Sequence, residues 1–268
     1  MEPLITATLA MLATISQTML DEIRACPESQ NWSKICTQFK LNRQFLWEFQ
    51  HYVIWSRVSQ SQKLSHRTIE RHAKALDWIK VSEYQRLSEG MIRKYRHKVD
   101  WPSISRHQRL SEVFIMSFED YVEWPMISAF QRLSISFIWR HLDKLTMELI
   151  FEHQKLSEET IEELLDHIKS YTDEMDMNAM WVAISWCRTL SEEFIEKHAD
   201  EVNWFGISFR QKLSETFIEK YADKVNWFSI STQQEFSDHF IWKFFDKLNM
   251  DAVNYKHAKR VQMIAASA

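Results

Sequence analysis

The chain has 268 residues, with 33 Lys plus Arg against 37 Asp plus Glu and a net charge of −4. That balance lacks the basic excess of a dedicated nucleic-acid binder and is too mild for a mimic of DNA. Its two glycines, Gly90 and Gly206, exclude the glycine-rich turns that cradle phosphates or dinucleotides, and they disfavour sheets with tight hairpins.

Residues 1–40 read as an N-terminal cap containing a degenerate repeat. Leu4, Leu12, Ile15, Met19 and Ile23 fall at helical spacing, and Pro27 ends that predicted helix. The stretch is apolar, but it carries Glu2, lacks a basic start and is diluted by Thr and Ser, so it does not read as a signal peptide. Trp32 and Ile35-Cys36 already keep the register of the later repeats.

Residues 41–250 form a tandem array. LSEEFIEKHADEVNWFGISFRQ (190–211) recurs almost verbatim as LSETFIEKYADKVNWFSISTQQ (213–234). The Leu-Ser pair also starts at Leu64, Leu87, Leu110, Leu133 and Leu156, each 23 residues after the last, with Leu41-Asn42 and Phe236-Ser237 extending the series. Fixed self-similarity marks a solenoid, in which each repeat buries its apolar face against its neighbours.

With the anchor Leu numbered zero, apolar residues at positions 0, 4, 5, 8 and 12 predict one longer helix, N-capped by Ser at position 1. Glu192 and Glu193 fit the positive end of that helix. Asp77, Asp100, Glu123, Asn203, Asn226 and Asn249 at position 13 start a shorter second helix, where Pro102 and Pro125 are tolerated in the first turn. Trp at 14, Ile at 17 and a small Ser at 18 form its inner face, and Gln at 21 leads to the next anchor.

One interval, Leu156 to Leu190, is longer by 11 residues. The insertion lies within 167–180, is acidic, and is expected to lengthen the first helix or form a surface loop. Residues 251–268 read as a C-terminal cap, a closing helix with Lys256, Lys259 and Arg260 on its polar side.

Trp32, Trp55, Trp78, Trp101, Trp124, Trp181, Trp204 and Trp227 share position 14. A base-stacking ladder would need such a column, but Met147 and Met250 fill the same slot, which favours inter-repeat core. His72, His141 and His198 share position 8 with Phe and Tyr and read as ring-shaped fillers rather than metal ligands. Asp120, Asp143, Asp166, Asp200, Asp223 and Asp246 form a column at position 10, read as solvated or bonded to nearby backbone, with binding of cations or basic peptides as the alternative. No cluster of unlike groups suggests catalysis. Cys26, Cys36 and Cys187 have no CxxC pair and fit a reducing, intracellular setting.

Positions 15, 16, 19 and 20 point outward from the second helix. They carry Met126, Phe130, Val182, Trp186, Phe205, Phe209 and Phe228, apolar residues that the recurring core does not require. Six of them, Phe130, Val182, Trp186, Phe205, Phe209 and Phe228, are the candidate partner-binding residues. The N-terminal counterparts include the charged Arg57, Lys80, Glu83 and Arg106.

The pattern LSExFIxxxxDxVxWxxISxxQ, carried here by LSEEFI, VNWFGIS and VNWFSIS, resembles short-helical-repeat proteins of bacteriophages and large DNA viruses over roughly residues 41–250. The resemblance implies a viral origin and a role against or alongside a host protein; it carries over no catalytic residue. The expectation is therefore an all-α, right-handed α-solenoid of about nine helix-turn-helix repeats with helical caps. Its expected function is non-catalytic binding of a host protein in the host cytoplasm, possible targets including a defence protein that it inhibits. No metal, cofactor or membrane contact is expected. The alternative is a single-stranded nucleic-acid binder, which needs a basic, aromatic-lined groove; an enzyme would need a polar pocket at the insertion.

Overall fold

A computed structural model describes residues 12–170, 174–187 and 189–254. The chain divides into two compact halves, Met1–Phe137 and Ile138–Ala268. Both follow the all-α plan of tandem helix-turn-helix repeats. The helices of the first half are α1 (Gln17–Ala25), α2 (Trp32–Gln38), α3 (Arg43–Glu48), α4 (Trp55–Ser61), α5 (His66–Arg71) and α6 (Trp78–Tyr84). They continue with α7 (Glu89–Lys94), α8 (Trp101–His107), α9 (Glu112–Ser117) and α10 (Trp124–Phe130); α11 (Ile135–Arg140) spans the division. The second half holds α12 (Met147–His153), α13 (Glu158–Ile168), α14 (Glu174–Cys187), α15 (Glu192–Lys197) and α16 (Trp204–Arg210). After them come α17 (Glu215–Lys220), α18 (Trp227–Gln233) and α19 (Asp238–Lys243).

The two helices of a repeat start where the capping residues predict. Ser65, Ser88, Ser111, Ser157, Ser191, Ser214 and Ser237 each accept the amide of the residue three further on. Asp77, Asp100, Asn203 and Asn226 do the same for the second helix. The core is the expected one: Ile at positions 5 and 17 is buried, as in Ile92, Ile104, Ile195 and Ile207, except for the half-buried Ile241 of the last repeat. Each such side chain contributes about 1.5–3 kcal/mol by leaving water.

The first helix is not the longer one. It stops at position 7 with 6 residues, against 7 for the second, as α15 and α16 show. The residue at position 8 takes φ near −110° and ψ near 30° (−113° and 31° at His198), outside the helical basin, and the chain continues as a turn. Positions 8 and 12 still face the core because the turn keeps an i→i+4 bond, Val202 N–H to His198 O.

The second helices pack in succession, α2 to α10 in the first half and α12 to α18 in the second. Polar groups bind the repeats together. Gln108 is buried; its Oε1 accepts the Leu87 amide (2.9 Å), and its Nε2 donates to Ser82 O (2.8 Å) and Gln85 O (2.7 Å). Gln62, Gln85 and Gln131 repeat that three-way bond one register apart. The amide thus satisfies the orphan carbonyls at the end of one second helix and the amide that opens the next repeat. Ser82 Oγ donates to Trp78 O and accepts the Asp100 amide, so the small residue at position 18 is a bridge as well as a packing choice. Glu at position 2 reaches the next repeat: Glu89 accepts the Ser111 amide and Glu192 the Ser214 amide. It acts on a neighbour's cap rather than only on its own helix dipole.

The N-terminal segment differs from expectation. The helix begins at Gln17, capped by Ser16, so Leu12 and Ile15 precede it; Ala13–Thr14 pairs in parallel with Phe39–Lys40 as a two-residue bridge. Leu4 lies outside the described residues, as do Lys256, Lys259 and Arg260. The helix ends at Ala25, before Pro27 opens a short 3₁₀ turn. The insertion lengthens both helices of its repeat: α13 has 11 residues and α14 has 14. Ser157 keeps the start of α13 in register and Trp181 keeps the end of α14 in register, so the added length all falls at the turn edge. Among the described residues no helix is long and apolar enough to cross a membrane.

Candidate functional site

Five of the six candidate residues, Val182, Trp186, Phe205, Phe209 and Phe228, lie on second helices of the C-terminal half, and Phe205 and Phe209 pack on Trp186. Its ring centroid lies 5.5 Å from that of Phe205 and 5.6 Å from that of Phe209. Phe205 is 49 % exposed, Phe209 38 % and Phe228 63 %, whereas Ile207 and Ile230 on the inner sides of the same helices are fully buried. Phe228 occupies the place of Phe205 one repeat further along. Trp186 itself is half-buried and lies flat on Gly206: a Cβ added there would stand 2.8 Å from the indole Cδ1. The glycine is a close-approach position, and Trp186 is the base of the patch rather than a free member of it.

Val182 and Phe130 stand apart. Val182 is half-buried on α14. Phe130 belongs to the N-terminal half, where the Arg106 guanidinium covers its ring at 4.7 Å. The second-helix face of that half is less polar than its charges suggest, since Ile79 and Tyr84 are exposed on α6. Trp47, Trp242 and Phe245 are exposed on first helices or their turns, Trp242 by 80 %. They fall outside positions 15, 16, 19 and 20 of the second helix, although position 6, which holds Trp47 and Trp242, is Glu70, Glu196 and Glu219 in other repeats, the same signal that marks Phe205.

The Trp column is an inter-repeat seam with one wet edge. Trp32 and Trp181 are buried, while Trp55, Trp78, Trp101, Trp124, Trp204 and Trp227 are half-buried. Indole Nε1 donates to the carbonyl five residues earlier, as in Trp78 to Ala73 (2.9 Å) and Trp204 to Ala199 (2.9 Å). The ring then stacks on position 8 of the following repeat: Trp55 on His72 at 4.5 Å, Trp78 on Tyr95 at 4.7 Å, Trp204 on Tyr221 at 5.0 Å. His72 and His198 therefore do what Tyr and Phe do in that slot. Burial pushes the His72 imidazole below its ordinary pKa, with Arg71 adding to the effect, and its Nε2 has no hydrogen-bond partner. The Asp column is exposed, and Asp200 pairs with Lys224 at 2.6 Å.

A cleft of about 880 Å³ opens where the insertion lies. One wall is the overhang of α13 and α14, with Leu165, Asp166, Lys169, Met177 and Asn178. The other is the turn of the next repeat, with His198, Asp200 and Glu201; Glu162 and Trp181 lie between. Glu162 is held by Lys197 Nζ (2.6 Å) and His198 Nε2 (3.1 Å), and these contacts, Lys197 first, depress its carboxyl pKa. A cleft mixing an apolar floor with a few polar groups is the ordinary form of a binding site. Among the described residues no three His, Cys, Asp or Glu side chains are grouped to hold a metal ion.

No family model matches the chain, and no curated protein or solved structure matches it.

Proposed function

We propose that the protein is a non-catalytic binding scaffold whose partner is another protein, docked on the exposed second-helix face of the C-terminal half. The observation that supports this most is the presentation of Phe205, Phe209 and Phe228 to solvent on consecutive second helices whose other sides are already filled. Large aromatic side chains gathered in this way are the usual anchors of protein interfaces. The resemblance of the repeat to phage and large-DNA-virus proteins gives the partner its class, a host protein in the cytoplasm, and makes inhibition of a defence protein the role we assign. The chain's net charge of −4 argues for this reading over single-stranded nucleic-acid binding.

The test is affinity capture with the wild-type chain and with Phe205→Glu/Phe228→Glu. Both sites are exposed, so the variant should keep the wild-type circular dichroism and melting temperature. A protein held by the wild type should bind the variant at least tenfold more weakly, about 1.4 kcal/mol. Equal capture by the folded variant would remove the face from the proposal. Capture of single-stranded nucleic acid in place of protein would establish the alternative.

A further inference from the structure

Four repeats carry a lysine at position 11 (Lys98, Lys144, Lys224 and Lys247), where Tyr52, Ala75, Tyr121 and His167 stand in others. At position 11, Lys224 lies over Trp204 (6.0 Å) and donates to Ala199 O (3.1 Å) and Asp200 (2.6 Å) of the preceding repeat. Lys247 lies over Trp227 at 5.5 Å, and Lys98 donates to Ala73 O at 3.1 Å. An ammonium on an alkyl stem thus covers the wet edge of the Trp seam, where the ring face attracts a cation. In the repeat after the insertion, position 11 is Glu201, the one carboxylate in that column. It lines the cleft together with Trp181.

The insertion adds the second half of the site. The added residues of α13 extend it by about 7 Å and those of α14 by about 10 Å, at 1.5 Å per residue. This overhang carries Asp166, which lines the same cleft as Glu201. Neither carboxylate has an ion-pair partner among the described residues, whereas Glu162 and Asp200 are occupied by Lys197 and Lys224. Lys169 is the one lysine of the lining, set against the four carboxylates Glu162, Asp166, Asp200 and Glu201. Leu165 and Met177 offer an apolar floor for an alkyl stem.

We propose that this cleft takes a lysine side chain from a segment of a partner protein, its ammonium held between Glu201 and Asp166 beside Trp181. The volume of about 880 Å³ exceeds what one alkylammonium fills, which leaves room for the flanking backbone beside the Asn178 amide. None of Trp186, Phe205, Phe209 or Phe228 lines this cleft, so the site is separate from the aromatic face and stands or falls without it.

The experiment is calorimetric titration of the full chain with a capped Ala-Ala-Lys-Ala-Ala peptide. The comparison ligands are the same peptide with norleucine in place of lysine, and spermidine. The lysine peptide should bind with Kd at or below about 1 mM, and the norleucine peptide at least tenfold more weakly. Glu201→Lys places in the cleft the residue that equivalent repeats already carry; it should keep the fold and weaken the lysine peptide at least tenfold. Asp166→Asn, at an exposed site, should weaken it severalfold without touching the turn. Phe205→Glu/Phe228→Glu should leave the titration unchanged, which separates failure of this site from failure of the aromatic face. The proposal is overturned by undiminished binding to Glu201→Lys and Asp166→Asn, by equal binding of the norleucine peptide, or by spermidine binding as tightly as the peptide. Absence of any binding at about 5 mM lysine peptide also overturns it.

Discussion

Replacing Gln108 by Leu tests the idea that a ladder of buried amides, as much as the apolar core, joins one repeat to the next. Leucine fills similar space and is favourable to bury, so a purely hydrophobic account expects little loss. The structure predicts otherwise. Removal of the amide leaves the Leu87 N–H and the Ser82 and Gln85 carbonyls without their 2.9, 2.8 and 2.7 Å partners in a buried place. A buried group left unsatisfied costs about 1–3 kcal/mol. Three such groups, less about 1–2 kcal/mol for the added apolar burial, give an expected loss of about 4–5 kcal/mol within bounds of about 1–8 kcal/mol. Guanidinium unfolding measures it, with Gln38→Leu on the exposed side of α2 as a control expected to change stability by less than about 0.5 kcal/mol. Hydrogen exchange at the Leu87 amide should accelerate in Gln108→Leu alone. A loss under about 1 kcal/mol with unchanged Leu87 exchange would refute the reasoning and make the amide ladder incidental to the hydrophobic seam.

Two further outcomes rest on single side chains. The His72 imidazole has a folded pKa below its ordinary 6.5, so the unfolded chain binds the proton first. Stability due to the neutral ring is therefore intact above about pH 6.5 and falls as the pH drops below it. His72→Phe, the ring that Phe118 supplies in an equivalent slot, should flatten stability between about pH 7 and 5; an unchanged pH profile in denaturant melts would show that His72 is not held neutral. Gly206→Ala gains up to about 1 kcal/mol of helix propensity but sets a methyl 2.8 Å from the Trp186 indole. It should destabilise the wild type and stabilise a Trp186→Ala background, a coupling of at least about 1 kcal/mol in a double-mutant cycle. Additive effects would mean that Trp186 does not rest on the glycine.

The site was legible in part, and the division follows the physics of each residue. Phe205, Phe209 and Phe228 stood out because a repeat protein exposes its own exceptions: a large ring at a position that is polar in sister repeats is not required by the common core. Trp186 looked like another such exception. Its role as the base of the patch depends on Gly206 one repeat later, and no spacing rule joins those two residues. The cleft depended on which helix took up the insertion. Eleven extra residues looped out would have left no overhang, and the placement of α13 and α14 at the turn edge is a matter of packing.

What the sequence by itself determined was the repeat, its register and its inward face. Those arise from periodicity and capping chemistry, which are local: Ser at position 1 and Asp or Asn at position 13 bond amides three residues away, and Ile at positions 5 and 17 recurs at helical spacing. The end of the first helix was decided by tertiary structure, because position 8 leaves the helical basin to stack its ring on the Trp of the preceding repeat. The same holds for Gln at position 21. A glutamine every 23 residues was visible, but its three bonds reach backbone groups 21, 23 and 26 residues away, and only the stacked chain brings those groups to one amide.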